Sequence, residues 1–448
     1  MPSHHALRAL RTCSITTLVL IARAAAADVS SLPQDLTARI DVLDQAVVEL
    51  RRQLATAEQA RTDATAHAVT SGATQGSFKL PGSSTSVTVG GYVKLDAVFS
   101  NPSAGTDSTA DLFLQPNAIA VGPGAGDNER SQVKFGARES RLFFKTSTPT
   151  SWGDAVTYVE GDFYGADGNE SVSNSHGLRL RHAYGALGPL LAGQTWTNFM
   201  YVPALPETLD FGGPVGQIFA RQAQVRWTQP FEAQRGMPSG QWSVALENPE
   251  SVFAIPGSAA SFRADDDRVP DLTGQLVLDA QKAKVAVSAL LREIRVDSHA
   301  APAATGQARG AALSVAGVVP LGGKDDVRFA LSAGNAIGRY SNGFFPDGVI
   351  GADGQVRLAK QVGWYAGYRH WWSDAWRSNV VLSSASERNP AGTAATTNRS
   401  TQSAHANLIW TPVPRTDLGV ELIHASRETE DGQKGHLDRL QLSAKYAF

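Results

Sequence analysis

The sequence has one cysteine, Cys13, and none after it, so neither a disulfide nor a zinc–thiolate centre can form in the rest of the chain. Beyond residue 27 it lacks any apolar run near the roughly 20 residues that a membrane helix requires. If the chain crosses a bilayer it must do so as a closed β-barrel, the other structure that pairs every backbone polar group in lipid. Neither sign of charge is in excess: 40 basic and 42 acidic residues leave a net charge of -2, which gives no support to a nucleic-acid partner. Lysine is scarce, 10 residues against 30 arginines, a bias that matters below. His182, His370, His405 and His424 have no metal-ligand spacing, Gly-x-Ser-x-Gly is absent, and no Ser, His and acid set can be assembled; no metal, cofactor or enzymatic activity is expected. Gly122-Pro123-Gly124-Ala125-Gly126 lies in a polar loop without strand-to-helix context and is no phosphate cradle.

What is present begins with Arg8 and Arg11 ahead of the short apolar run Ile15 to Ala22 and the small residues Ala24 to Ala27. This order predicts a secretory signal over 1–27, with Arg23 blurring the cleavage position. Leu36, Ile40, Leu43, Val47, Leu50 and Leu54 then follow at alternating spacings of 4 and 3, a heptad seam with Leu at d and Ile, Val and Leu at a. Ser31 and Pro33 suit the start of such a helix. Branched a residues favour two strands, whereas Arg39-Ile40-Asp41-Val42-Leu43-Asp44 resembles the Arg, apolar, acidic pattern of short trimeric coils. Dimer, trimer and a helix lying on its own domain all stay open from the coil alone. The expected oligomerisation segment is 28–60, with a fraying helix end and linker over 61–78.

From Val87 the apolar period changes to two: Val87, Val89, Gly91, Val93, Leu95, Ala97 and Phe99 on one face, Thr88, Tyr92, Lys94 and Asp96 on the other. Similar segments recur, centred near Val93, Leu142, Val159, Arg181, Gln194, Val225, Val244, Leu276, Val287, Val315, Phe329, Ala366, Val381, Leu408, Val420 and Leu442. Short turns such as Gly188-Pro189 alternate between them with longer polar loops. The reading is an all-β transmembrane barrel over 79–448, of about sixteen antiparallel strands in up-and-down order, preceded by a short α-helical coiled coil. In the last strand Leu440, Leu442, Ala444, Tyr446 and Phe448 would face lipid while Arg439, Gln441, Ser443 and Lys445 line water. A terminal aromatic after this alternation resembles the signal read by the barrel assembly machinery of bacterial outer membranes. An even strand number puts both ends, and therefore the coil, in the periplasm, with outer-membrane lipid and lipopolysaccharide around the barrel. Aromatics at strand ends, among them Trp152, Tyr158, Trp242, Trp371, Trp372, Trp376 and Trp410, fit interface girdles or interior packing.

Charge in mid-strand must face water, because Arg or Lys facing lipid at the midplane costs about 2–4 kcal/mol. Arg179 and Arg181 on one face, and Arg226 beside Gln222 and Gln224, are the clearest pore-lining candidates; Arg141 and Arg138 follow, with ambiguous register, then Arg369 and Lys94. Arginine stays charged and pairs bidentately with carboxylates, so such a row fits an anion path. The same arginines could instead pair with wall acids such as Asp96, Glu160, Asp162 and Glu421. The stretch Tyr201 to Gly216, with Pro203, Pro206, Pro214 and Gly212-Gly213, is too irregular for a strand and reads as a constriction loop or an external one. In the first case Glu207 and Asp210 would face the basic wall. Asp265-Asp266-Asp267 reads as a solvated loop, with a divalent-cation site near lipopolysaccharide as the alternative.

Three stretches resemble the DcaP-like trimeric porins of Gram-negative outer membranes. They are Ser77-Phe78-Lys79-Leu80-Pro81-Gly82 running into Val89-Gly90-Gly91-Tyr92-Val93-Lys94-Leu95-Asp96-Ala97; Glu139-Ser140-Arg141-Leu142-Phe143-Phe144-Lys145-Thr146-Ser147-Thr148-Pro149; and Gly193-Gln194-Thr195-Trp196-Thr197-Asn198-Phe199-Met200 followed by Leu205-Pro206-Glu207-Thr208-Leu209-Asp210-Phe211 and Arg221-Gln222-Ala223-Gln224-Val225-Arg226. The resemblance implies a homotrimer of sixteen-stranded barrels with a periplasmic coil, passing small anionic solutes such as dicarboxylates by diffusion. A barrel enzyme such as a lipid hydrolase, or a plugged structural or adhesive barrel, are the competing classes. Residues 101–130, 251–267 and 299–308 carry no matching word, so the solute preference could differ.

Overall fold

The computed structural model describes residues 36–448, apart from 68, 75, 103–111, 124–130, 170–172, 174, 235, 237, 256–260, 265, 281, 299–303, 342–343 and 352. The expected signal and Asp265 lie outside the described residues. Helix α1, Leu36–His67, forms one unit by itself and runs past the expected end of the coil. Its seam is bare in the single chain: Ile40, Leu43, Val47, Leu50 and Leu54 are all exposed. The side chain of Leu36 is not among those described.

The second unit contains a barrel of sixteen strands among the described residues. They are β1 (Ser86–Asn101), β2 in two pieces (Gln132–Gly136 and Arg141–Thr148), β3 (Ala155–Asn169), β4 (Ser175–Leu187), β5 (Leu190–Trp196), β6 (Arg221–Phe231), β7 (Ser239–Glu247), β8 (Asp271–Ala280), β9 (Ala283–Ser298), β10 (Ala304–Gly322), β11 (Asp325–Gly334), β12 (Lys360–Trp371), β13 (Trp376–Arg388), β14 (Asn398–Val413), β15 (Thr416–Thr429) and β16 (Lys434–Ala447). Each pairs antiparallel with its sequence neighbour, and β16 pairs with β1 from Asp438↔Asn101 to Ala447↔Tyr92, closing the barrel. All sixteen sequence-derived strand centres fall inside these strands.

Side-chain alternation explains why the sheet closes with its apolar face outward. On β13, Val380 and Leu382 are exposed while Arg377, Asn379, Ser383 and Glu387 are buried; on β16, Leu442 and Tyr446 are exposed while Arg439, Gln441 and Ser443 are buried. A soluble sheet would reverse this, so the exposed rows need lipid. Trp376 and Trp410, directly paired across strands, stack at 5.5 Å on the outside, and Trp242, Trp372 and Tyr446 are exposed with them. Tyr158 and Trp371 depart from a girdle: Tyr158 donates to Glu160 at 2.7 Å and Trp371 lies beneath Arg369 and Arg377, both turned inward.

One end of the barrel has tight turns, and two of them use left-handed backbone, at Gly188 (φ 54°) and Gly323 (φ 58°), a conformation glycine adopts freely; at Gly188 a Cβ would also stand 2.4 Å from Trp152 O. Arg415, at φ 71°, takes that conformation without being glycine. The other end carries the long connections. Those after β7 and β11 add a small sheet of Ser251–Ala254, Ser261–Ala264, Gly348–Ile350 and Val356–Leu358, packed through Phe253, Ile350, Ile294 and Val296. Leu114, Val215, Phe344 and Phe345 from three loops pack on Ala385, Ile423 and Leu437 inside the barrel, so this half of the lumen is partly filled.

Candidate functional site

The connection between β5 and β6, residues 197–220, folds into the barrel and lies on the inner faces of β11 to β16. Prolines and glycines deny it a strand, so its backbone N–H and C=O groups need other partners. The wall supplies them. Leu209 N and Asp210 N donate to the Glu421 carboxylate at 2.7 and 3.3 Å, and Lys94 and Gln441 donate to Leu209 O at 2.7 and 3.0 Å. Val215 N donates to Ser383 Oγ at 3.2 Å, and Tyr365 and Arg328 donate to the carbonyls of Ala204 and Leu205 at 3.1 and 2.7 Å. At Gly216 a Cβ would stand 2.1 Å from Trp364 O, so only glycine lets the loop rest on that strand.

The loop acids are turned to this same wall. Glu207 pairs bidentately with Arg377 at 2.7 and 2.9 Å and stands 3.8 Å from Arg369, which also pairs with Asp326. Asp210 is buried; it accepts from Leu114 N at 2.8 Å and Gly213 N at 3.0 Å and lies 3.7 Å from Arg439. Burial pushes its carboxyl up to about 6, against the pull of Arg439 and His405. Neither acid reaches across to the arginines of β4.

The opposite wall is basic. A register shift in the β3–β4 pairing turns both Arg181 and His182 inward, with Arg179 on the same side. Arg181 bonds Glu160 at 2.6 Å and Asp162 at 2.8 Å, Arg179 holds Asp162 at 2.8 and 2.9 Å, and Arg141 is 3.5 Å from Glu160. Arg221 adds a fourth guanidinium with no ion pair among the described residues. Three cations thus share two carboxylates with Arg221 beside them, an excess of two positive charges in this group. Arg226 follows on the inner row of β6 beside Gln222 and Gln224, again without an ion pair among the described residues. Arg141 Nε, Arg221 Nη1 and Arg226 Nε are buried donors with no acceptor among the described residues.

Rings run along this wall between the arginines. Tyr164 stacks on Phe211 at 4.8 Å, Phe211 meets Phe219 at 6.1 Å, Phe219 meets Trp196 at 4.7 Å, and the series continues through His182 to Tyr158. Arg221 sits 4.5 Å above Trp196, and Arg179 and Arg181 lie 5.3 and 5.7 Å above Phe211. Such cation–ring contacts hold guanidinium groups in place without neutralising them.

A barrel with lipid-facing apolar rows, a loop folded into its lumen and a basic inner wall is the construction of a diffusion porin. Residues 22–448 match the family described as DcaP outer membrane protein. The chain belongs to this family. Its fold is similar to that of the outer membrane channel DcaP of Acinetobacter baumannii, at 23% identity over 84% of this chain and 100% of that one, with a TM-score of 0.67. It is also similar to an anion-selective porin from Comamonas acidovorans, at 12% identity over 81% and 100% of the two chains, TM-score 0.50. No curated protein matches the sequence. DcaP membership and the barrel make this an outer-membrane channel protein.

In this DcaP-family barrel the remaining sequence candidates are structural in placement. Lys94 is buried between Glu139, Asp96 and Leu209 O, and Arg138 donates to the carbonyls of Phe163 and Ala166 at 3.2 and 2.7 Å where β2 breaks. Sequence reasoning missed Arg221. Its position is in phase with outward-facing Ala223 and Val225, and only its stacking on Trp196, at the mouth of the inserted loop, turns it inward. It also missed a Ser, His and acid set: Ser403 Oγ is 3.0 Å from His405 Nε2, and His405 Nδ1 is 3.2 Å from Glu421. All three are buried beneath the loop, and Ser403 Oγ is already shared with Ser383 at 2.6 Å. The set lies under the loop and braces it through Glu421, which takes Leu209 N.

Proposed function

We propose that the chain works as a homotrimeric channel for passive diffusion of small, preferentially anionic solutes, dicarboxylates among them. The observation that carries this reading is the unbalanced arginine wall of β2, β4 and β6, where four guanidinium groups stand beside two carboxylates and three N–H donors lack acceptors among the described residues. Arg141, Arg179, Arg221 and Arg226 are only half-buried, so a carboxylate passing the loop can meet the exposed parts of these guanidinium groups, and the arginine fork favours it geometrically. Each contact must also be easily left for conduction to continue, and a water-lined wall keeps it weak. Measured in planar bilayers under a salt gradient, the reversal potential should show anion preference; a cation-selective current would refute this reading.

The trimer rests on the bare heptad seam of α1, which needs copies of itself to cover Ile40, Leu43, Val47 and Leu50. With the barrel inserted by its assembly machinery through the β16 strand, in contact with outer-membrane lipid and lipopolysaccharide, α1 would stand in the periplasm. A pulled-apart chain would expose that seam to water.

A further inference from the structure

At the loop-bearing end of β13, Glu387 points into the barrel, is only 5% exposed, and has no hydrogen-bond partner for either carboxylate oxygen among the described residues. Asp347 and Glu430 are the acids near it, and among the described residues no cation is ion-paired with it, although Lys360, Arg388 and Arg399 line the same cavity. Asp347 is already held by Arg292 at 2.6 Å, and Glu430 accepts from Asn389 at 2.8 Å. An unpaired buried carboxylate is among the costliest groups a protein can hold.

Its neighbours are oxygen donors in the same condition. Gln361 lies directly across the β12–β13 pair from Glu387, and its Oε1 is buried without a partner. Thr401 lies across from Ala385, one diagonal step away on the same face, and its Oγ1 is likewise unpartnered. Cross-strand neighbours of this kind have Cβ atoms about 5–8 Å apart, within reach of one ion for side chains of this length. Asn389, just past the strand, spends its amide nitrogen on Asn398 O and Glu430, both at 2.8 Å, leaving Oδ1 buried and free.

We propose that these side chains form a calcium site, with Glu387 as the charged ligand and Gln361, Thr401 and Asn389 supplying neutral oxygens. The donor set is all oxygen, which excludes zinc, and mixes a carboxylate with amide and hydroxyl oxygens in the irregular way calcium accepts and magnesium does not. A single carboxylate places the dissociation constant in the range of extracellular calcium modules, about 10⁻⁴ to 10⁻³ M. Bound there, the ion would tie β12, β13 and β14 together under the 389–397 connection.

The test is equilibrium dialysis of the purified, chelator-stripped full-length protein in detergent against radioactive calcium, beside thermal unfolding with calcium, magnesium or chelator. Wild type should bind one more calcium per chain than Glu387→Gln and unfold at higher temperature with calcium than with chelator. Thr401→Val should keep the stoichiometry and weaken binding severalfold, which preserves the test if Glu387→Gln fails to fold. Equal calcium uptake by wild type and Glu387→Gln, or an unchanged affinity in Thr401→Val, overturns the proposal. So does a wild type insensitive to calcium, since Glu387 would then be a neutral acid.

Discussion

Glu421 on β15 and Leu209 on the inserted loop are joined by a 2.7 Å hydrogen bond from the loop backbone to the buried carboxylate. The same carboxylate takes Asp210 N and is braced by Asn407 at 2.8 Å and His405 at 3.2 Å. One side chain therefore fixes the turn of the loop in the lumen.

Replacing Glu421 by Ala should leave two buried loop N–H groups unsatisfied, at about 1–3 kcal/mol each. The expected result is a lower unfolding temperature together with larger, noisier single-channel conductance as the loop loosens. An unchanged conductance would show that other anchors hold it.

Arg226 and Arg221 should control selectivity without controlling stability. A unit charge about 4 Å from a passing ion in water is worth about 1 kcal/mol, or about fivefold in permeability ratio. Arg226→Gln and Arg221→Gln should each cut the anion-to-cation ratio by up to that factor in bilayer reversal potentials, with unfolding temperatures near wild type.

Arg181 should behave in the opposite way. It bonds both Glu160 and Asp162, so Arg181→Ala removes the cation the two buried carboxylates share and leaves Asp162 to Arg179 and Glu160 to Tyr158 and the more distant Arg141, a loss of about 1–3 kcal/mol. Heat stability of the oligomer should fall clearly, in contrast with Arg226→Gln.

Asp210 sets a pH dependence of unusual sign. Its folded value of about 6 lies above the ordinary 3.8, so the folded loop keeps a proton that the unfolded chain has lost. Its contribution to stability is full below about pH 4, falls as pH rises to about 6, and amounts to about 3 kcal/mol. Arg439, His405 and Glu421 face it from the wall. Comparing wild type with Asp210→Asn isolates its part: unfolding midpoints between pH 4 and 7 should vary less in the variant.

Charging the helix seam should separate assembly from conduction. Leu43→Asp with Leu50→Asp should lower the heat resistance of the oligomer in gels and leave the conductance of each barrel unchanged. A wild-type oligomer here would assign assembly to the barrel walls.

The strands were readable because a barrel in lipid repeats one rule, apolar out and polar in, on every strand; Leu440 to Phe448 states it plainly. The inserted loop was readable from Pro203, Pro206 and Pro214, which forbid a ladder. The partners of its acids were not. Glu207 could pair with any cation in the lumen, and the choice of Arg377 depends on which wall the loop crosses to. Arg138 and Arg141 resisted assignment because β2 breaks between Gly136 and Arg141, which resets the alternation. Arg221 was hidden for a related reason: parity fails at a strand end where a stacked tryptophan redirects the chain.

The seam where β16 meets β1 ends with Gly91 and Phe448 exchanging backbone hydrogen bonds at 3.0 and 3.4 Å. Every other strand is joined to a neighbour made just before it, but this pair spans nearly the whole barrel sequence. Closure is therefore the most non-local event in folding and the slowest to nucleate. Until β16 is in place, β1 keeps an open edge, and the time spent with that edge unpaired is when the chain is most exposed to aggregation.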